Sequence, residues 1–293
     1  MSGSDLDEFL RQRPRLFALA YRMLGSASEA EDAVQETYLR WAAAETAEIR
    51  SAEAWLTTVT VNLCRSWLVS ARARRESYVG PWLPEPVPTP DTDLGPLETA
   101  QQRELVSLAL LAALERLNPV ERAVFVLRAA FGYPHREIAA MLELSEANSQ
   151  QLYSRASVRV REGRGRFEVS AERARELLER FLAAAGDGDV AGLRALLAAD
   201  VVATSDGGGV VSAARRPVVG ADKVSAFLLG LVRKAPAGFT LEAAEVNGAA
   251  GLLARVDGAV YVVVVPEFGD FPDGPRLVAL SFVLNPAKLG RFR

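Results

Sequence analysis

Between positions 78 and 98 the chain reads "YVGPWLPEPVPTPDTDLGPLE", with prolines at 81, 84, 86, 88, 90 and 96. Each proline fixes its own φ and removes a backbone donor, so this stretch is neither helix nor interior strand. It reads as an extended, stiff linker, and the folded parts lie on either side of it. Trp82 and Leu83 are too apolar for a free tether and are expected to dock on a folded surface.

The chain has 293 residues, a length for about two or three domains. Residues 1–77 carry helical periodicity throughout. Leu16, Phe17, Ala20 and Met23 recur at helical spacing. Ser28 followed by Glu31 has the pattern of a capping box and marks a second helix. In that helix Ala33, Val34, Tyr38 and Trp41 form an inward stripe, while Asp32, Gln35, Glu36 and Leu39 fall on another face. A third helix is expected from about Glu53 to Arg74, with Leu56, Val59, Leu63 and Trp67 facing inward.

Helical patterning returns over 99–166. "ELVSLALLAALERL" is an apolar helix, and Asn118-Pro119 ends it and begins the next. "YPHREIAAML", the short connection "ELS" and "EANSQQLYSRASVRVRE" then spell a helix, a tight turn and a second helix, the helix-turn-helix pattern.

From Ser170 the character changes. Helices are expected in "AERARELLERFLAAAG", in "DVAGLRALLAAD" and over about 221–234. Short strands are expected around "SDGGGVV", and four more in "FTLEAAEV", "AGLLARV", "AVYVVVV" and "RLVALSFVL". The turns contain "NG" and "DG", which favour tight hairpins. Residues 170–293 therefore read as an α+β unit with a bent antiparallel sheet and helices on one side.

Composition closes off several functions. Cys64 is the only cysteine and His135 the only histidine, so an intrachain disulfide, a cysteine-based metal site and most histidine catalysis are excluded. No apolar run approaches the roughly 18 residues of a membrane span. The N-terminal segment lacks the pattern of a secretory signal, and a cytoplasmic location is expected. The net charge of −3 argues against a protein that coats nucleic acid, but not against local basic stripes. No cofactor and no metal are expected.

The helix beginning near Ser145 is the sharpest chemical signal. Asn148, Gln151 and Ser154 are polar side chains beside Arg155. Asn and Gln pair with adenine in the major groove, and Arg pairs with guanine. Arg159, Arg161, Arg164 and Arg166 continue as a basic flank for phosphates. A second cluster, Arg65, Arg72, Arg74 and Arg75, ends the third helix near Trp55, Asn62 and Trp67. Rings and basic groups together suit unpaired bases, although both tryptophans also fit a core.

The order of these elements resembles the extracytoplasmic-function sigma factors. "LFALAYRMLGSASEAEDAVQETYLRW" is similar to helices of their region 2, and "AWLTTVTVNLCRSWLVSARARR" to the segment that melts and reads the −10 element. "LNPVERAVFVLRAAFGYPHREIAAMLELSEANSQQLYSRA" resembles region 4, the reader of the −35 element. "WLPEP", "DGGG" and "NPAKL" are similar to motifs of the SigJ-type subgroup, whose members carry a SnoaL-like, NTF2-like domain at the C-terminus.

The resemblance implies a multidomain protein. Two all-α sigma domains (1–77 and 99–166, the second with the helix-turn-helix) would flank the linker 78–98 and precede an α+β NTF2-like domain over 170–293. It implies that Asp32, Gln35 and Glu36 face core RNA polymerase. Asn62, Arg65, Ser66, Arg72, Arg74 and Arg75 would meet the −10 strand of promoter DNA. Asn148, Gln150, Gln151, Ser154, Arg155 and Arg159 would lie at the −35 groove. It further implies regulatory contacts among Trp82, Leu83, Pro84, Asp206, Gly207, Gly208, Gly209, Asn285, Pro286, Lys288 and Leu289. The chain departs from the family at Glu143, where the turn usually has glycine, and at Ser149, usually apolar. Val210 stands where lysine often ends the glycine motif, and Ala287 where the tail motif has an acid.

Three readings of the C-terminal part stay open. The glycines do not make a phosphate loop, because no Lys-Ser/Thr follows them. They can form a plain hairpin loop, or a contact loop whose bare backbone approaches another surface. As a contact loop, they would belong to a tethered regulator of the sigma core. A rival reading makes the domain a pocket for a small apolar ligand, or an enzyme using Asp206, Glu242, Asp257, Tyr261 or Glu267. A helix-turn-helix repressor with such a domain is the alternative for the whole chain. The free protein is expected to be monomeric, without a membrane partner.

Overall fold

The computed structural model describes residues 3–89, 94, 100–162 and 169–292. Contacts divide the chain into two units: Met1–Ser77 with Pro90–Gly163, and Tyr78–Thr89 with Arg164–Arg293. The linker thus parts near Thr89, and its first half belongs to the C-terminal unit.

The first unit is helical. Helix α1 (Gly3–Leu24), α2 (Ala27–Ala43) and α3 (Ala52–Glu76) precede the linker. α4 (Ala100–Glu104), α5 (Leu108–Leu114), α6 (Pro119–Ala129), α7 (His135–Leu142) and α8 (Glu146–Glu162) follow it. Over its last turns α1 is buried all round, from Leu16 through Leu24. A helix buried on every side belongs in the middle of a bundle, and α1 packs on α2, α3 and α6, with the buried Arg22 donating to the Ala18, Leu94 and Leu105 carbonyls.

The cap of α2 is Ser26, whose hydroxyl accepts from the Glu29 amide, and not Ser28 as the spacing suggested. Ser28 instead places its hydroxyl 3.0 Å from that of Ser26. The apolar helix expected as one piece is broken after Glu104, because Ser107 caps a fresh start at Leu108. α6 has a full capping box, in which Asn118 accepts from the Glu121 amide and Glu121 accepts from the Asn118 amide, with Pro119 in the first turn.

In the second unit α9 (Ala171–Gly186) and α10 (Val190–Leu196) come first. The strand β1 (Leu197–Asp206) starts at once, so the segment "LAAD" is strand rather than the end of a helix. β2 (Val218–Val219) and α11 (Ala221–Arg233) precede β3 (Phe239–Val246), β4 (Ala249–Val256), β5 (Ala259–Gly269) and β6 (Arg276–Val283).

The six strands form one sheet in the order β2-β1-β6-β5-β4-β3. The sheet is mixed rather than antiparallel throughout, because β1 runs parallel to β6. β1 pairs antiparallel with β2, the chain then crosses through α11 to β3 at the far edge, and β3 to β6 return strand by strand until β6 lies parallel beside β1. The three helices and the sheet share one apolar core, including Leu177, Phe181, Leu193, Val224, Leu252 and Phe282. The glycines after Asp206 lead into a turn and a loop, and the next strand begins only at Val218.

Candidate functional site

The turn between α7 and α8 is tight because Glu143 adopts the left-handed conformation, φ 56° and ψ 47°. The amides of Glu143 and Leu144 both donate to the Ala139 carbonyl, Leu144 at 2.9 Å. The Ser145 hydroxyl accepts from the Asn148 amide and caps α8. Ser149, Leu152, Ala156 and Val160 form the buried stripe of that helix. Gln150, Gln151, Ser154 and Arg155 are exposed, and Asn148 is half-buried. Arg159 is half-exposed and pairs with Glu121 at 2.6 Å, so its charge also ties α8 to the capping box of α6. At the unusual Ser149 the hydroxyl lies 2.9 Å from His135 Nδ1, and the imidazole meets the Tyr153 ring edge-on. The buried hydroxyl is thus satisfied by the chain's only histidine.

On α2, Asp32 and Gln35 are exposed, while Glu36 is half-exposed and pairs with Arg40 at 3.0 Å. Their backs are the buried Ala33, Val34, Thr37 and Trp41. On α3, Asn62 and Ser66 are exposed, and Arg65 donates to Asn62 Oδ1 at 3.0 Å. The side chains of Arg72 and Arg74 lie outside the described residues, as do Arg164 and Arg166. Arg75 is turned inward. It donates to the Leu24 carbonyl at 2.9 Å and pairs with Glu115. Trp55 packs on Trp41 with ring centroids 5.4 Å apart, and Trp67 is half-buried.

The C-terminal unit gathers the three short motifs at Asp206. This carboxylate is completely buried and accepts four hydrogen bonds. Oδ1 takes Tyr78 Oη at 2.6 Å and the Gly208 amide at 3.0 Å. Oδ2 takes the Leu83 amide at 2.9 Å and Lys288 Nζ at 2.7 Å. The Asp206 carbonyl accepts from the Leu284 and Asn285 amides. Lys288 also donates to the Leu83 carbonyl, and its ammonium sits over the Trp82 ring, 4.2 Å from the centroid. Asn285 Nδ2 donates to Tyr78 Oη at 2.8 Å.

Burial first, and then the hydrogen bond to Asp206, push the Tyr78 phenol above its usual range. Tyr78 was not singled out from the sequence. A tyrosine four residues before "WLPEP" has no periodic partner, and only the fold brings it to Asp206.

The glycines are explained by what stands against them. Gly208 has φ +63°, and a Cβ there would lie 2.5 Å from Asn285 Cγ. Gly209 has φ +74° and faces Val79, and a Cβ on Gly207 would lie 2.3 Å from the Val211 carbonyl oxygen. Backbone without side chains lets the loop close on both the linker and the tail. Pro84 and Leu289 are buried beside this network, and Pro286 opens the short 3-10 turn that carries Lys288.

Of the side chains named for an enzyme, Asp206 is taken up by the network above, and Glu267 is half-buried on β5. Glu242 pairs with Arg255 across β3 and β4, Asp257 is exposed in a hairpin, and Tyr261 is exposed. Among the described residues no three His, Cys, Asp or Glu side chains are grouped as a metal site would need, and no helix is long and apolar enough to cross a membrane.

Residues 9–74 match the family Sigma-70 region 2, and residues 107–160 match Sigma-70, region 4. The first match spans α1 to α3 and the second spans the helix-turn-helix, which defines the class as a sigma factor. The ECF RNA polymerase sigma factor SigJ of Mycobacterium tuberculosis is 39% identical, over 97% of this chain and 93% of its own. A probable ECF RNA polymerase sigma factor, SigI, of the same species is 35% identical over 74% of this chain and 73% of its own. The crystal structure of the M. tuberculosis extracytoplasmic function sigma factor SigJ superposes with a TM-score of 0.75 at 33% identity, covering 97% of this chain and 98% of that one. This chain belongs to the extracytoplasmic-function sigma factors, with two sigma-70 regions and an α+β C-terminal domain.

Proposed function

We propose that the protein binds core RNA polymerase and directs promoter-specific transcription initiation, with its C-terminal domain as a tethered regulator. Asn148, Gln150, Gln151, Ser154 and Arg155 read the −35 element, and Arg159 meets its phosphates. Asn62, Arg65 and Ser66, with Arg72 and Arg74, meet the −10 strand. Asp32, Gln35 and Glu36 face the polymerase. Arg75 serves packing through Glu115 rather than DNA. In this reading the protein catalyses nothing itself, works in the cytoplasm and is monomeric when free.

One observation carries the regulatory part: Asp206 is buried under donors from the linker, Tyr78 and Leu83, and from the tail, Lys288. The linker joins the two DNA-reading regions in sequence, so whatever grips it constrains how far they can separate. A regulator joined covalently to its target acts at high effective concentration without needing high affinity. Release of the grip by polymerase or by a signal then frees the two regions.

The test is run-off transcription with purified core polymerase, on a promoter library, comparing the full chain with one cut before Asn285. Transcripts that depend on the protein are expected, and the cut should change their yield while leaving polymerase binding intact. Unchanged yield would remove the regulator from the reading, and failure to bind core polymerase would overturn the whole of it.

A further inference from the structure

The alternating prolines leave few amides in the linker. Pro84, Pro86 and Pro88 have no N–H, so between Leu83 and Thr89 only Leu83, Glu85, Val87 and Thr89 carry a donor. The Asp206 network takes the donor of Leu83. The donors of Val87 and Thr89 go elsewhere, to the end of β3 and the β3–β4 turn.

That second cluster is built on Asn247. Its Oδ1 accepts from the Val87 amide at 2.9 Å, and its own amide donates to the Val87 carbonyl at 2.9 Å. Asn247 therefore reads both polar groups of one linker residue. The Thr89 amide donates to the Glu245 carbonyl at 3.0 Å, and the Gly248 amide donates to Thr89 Oγ1 at 3.0 Å. Between them Pro88 bridges Val246 in antiparallel fashion, at a place where no donor is asked of it. The linker is added as a short strand to the free edge of the sheet, since β3 has β4 on one side only. Val87, Val246 and Asn247 are fully buried.

A comparison inside the same sheet separates this site from ordinary hairpin chemistry. The β4–β5 turn has the same build, with Asp257 at φ 51° and Gly258 at φ 84°, against Asn247 at φ 52° and Gly248 at φ 76°. Asp257 is exposed, whereas Asn247 is not. A left-handed turn residue gains nothing from burial as such, so the burial of Asn247 reflects what it holds.

We infer that the β3–β4 hairpin is a second binding site for the linker, a strand-addition site for extended backbone with Asn247 as its reading residue, separate from the Asp206 network. Extended proline-rich chain rises about 3.1 Å per residue, so the anchors at Leu83 and Val87 stand about 12 Å apart on a stiff rod. Two spaced anchors fix the direction of the linker as well as its attachment, and either can open while the other holds. For its bearing on transcription the inference rests on the regulatory reading above, but the binding site itself does not.

Residue-resolved hydrogen exchange on the full chain tests it without any transcription readout, so failure of the regulatory reading leaves the test intact. Asn247→Gly suits the left-handed φ and removes the side chain whose Oδ1 accepts from Val87 while keeping the backbone amide, and Asp257→Gly removes the side chain at the matching position of the exposed hairpin. The expected result is faster exchange at Val87 and Thr89 in N247G, by about tenfold for one lost net hydrogen bond. Leu83 should stay slow in N247G, and D257G should match the parent chain. Asp206→Asn should give the converse, with Leu83 released and Val87 held. Unchanged Val87 exchange in N247G would overturn the inference. So would equal acceleration in D257G, or release of the whole stretch by either anchor's variant.

Discussion

A buried carboxylate and a buried ammonium are each expensive to take out of water, and their attraction offsets this only when every remaining lone pair and proton is satisfied. Asp206 meets the condition through four donors, and Lys288 through a carboxylate, a carbonyl and the Trp82 face. The glycines make that closure possible, and their contribution can be measured. Gly208→Ala forces an L-residue to φ +63° and drives its Cβ into Asn285. Gly258→Ala imposes a similar φ, +84°, with nothing within 4 Å. The conformational part costs about 1–2 kcal/mol in both. In urea unfolding G208A should therefore lose more stability than G258A, and equal losses would show that the Asn285 contact is slack.

The helix-turn-helix resolves two departures from its family by different means. Glu143 accepts the left-handed conformation outright, and two amides converging on the Ala139 carbonyl hold it there. Ser149 recovers the lost apolar packing through a hydrogen bond to His135, which also rests against Tyr153 one turn later. α8 is therefore held from behind while Gln150, Gln151, Ser154 and Arg155 stay exposed. Replacing Asn148 and Gln151 with alanine should lower the preference for the −35 sequence by about 1–3 kcal/mol per lost bidentate pair. Non-specific binding, which rests on phosphate charge, should be retained. Titration of matched and scrambled duplexes at one salt concentration measures both, and equal weakening on the two duplexes would count against base reading.

Across the helical unit, α3 and α6 are joined through Glu115, which pairs with Arg75 on one side and with Arg122 on the other at 2.6 Å. Arg122 is 2% exposed, and its Nε and Nη2 have no hydrogen-bond partner among the described residues. Burial lowers its pKa to about 9, while the nearby Cys64 and Glu29 act in the opposite direction. A guanidinium so placed is a cost of the packed arrangement, and methionine of similar volume should relieve it. Arg122→Met should leave the stability unchanged or raise it by about 1–4 kcal/mol. Glu115→Ala, which strands the cation, should lower it by about 3–5 kcal/mol. Thermal unfolding of the two variants decides the matter, and a large loss in R122M would mean that the charge itself supports the unit.

Local rules carried much of this protein. Helical spacing marked the elements of the first unit, Asn118-Pro119 marked the start of α6, and "NG" and "DG" marked two hairpins, because each depends on residues a few positions apart. The same rules failed where the decision was made at a distance. "LAAD" reads as the end of an amphipathic helix, yet β1, which pairs with β6, already begins there. "NG" reads as a turn, and nothing local tells Asn247 from Asp257 until the linker is laid against one of them. The sequence by itself determined the class of the protein, through motifs short enough to be recognised in one dimension. Only the tertiary structure decided what those motifs do to one another. Tyr78, Leu83, Asp206 and Lys288 come from three distant parts of the chain, and burying a charge is tolerable only where all of them arrive together.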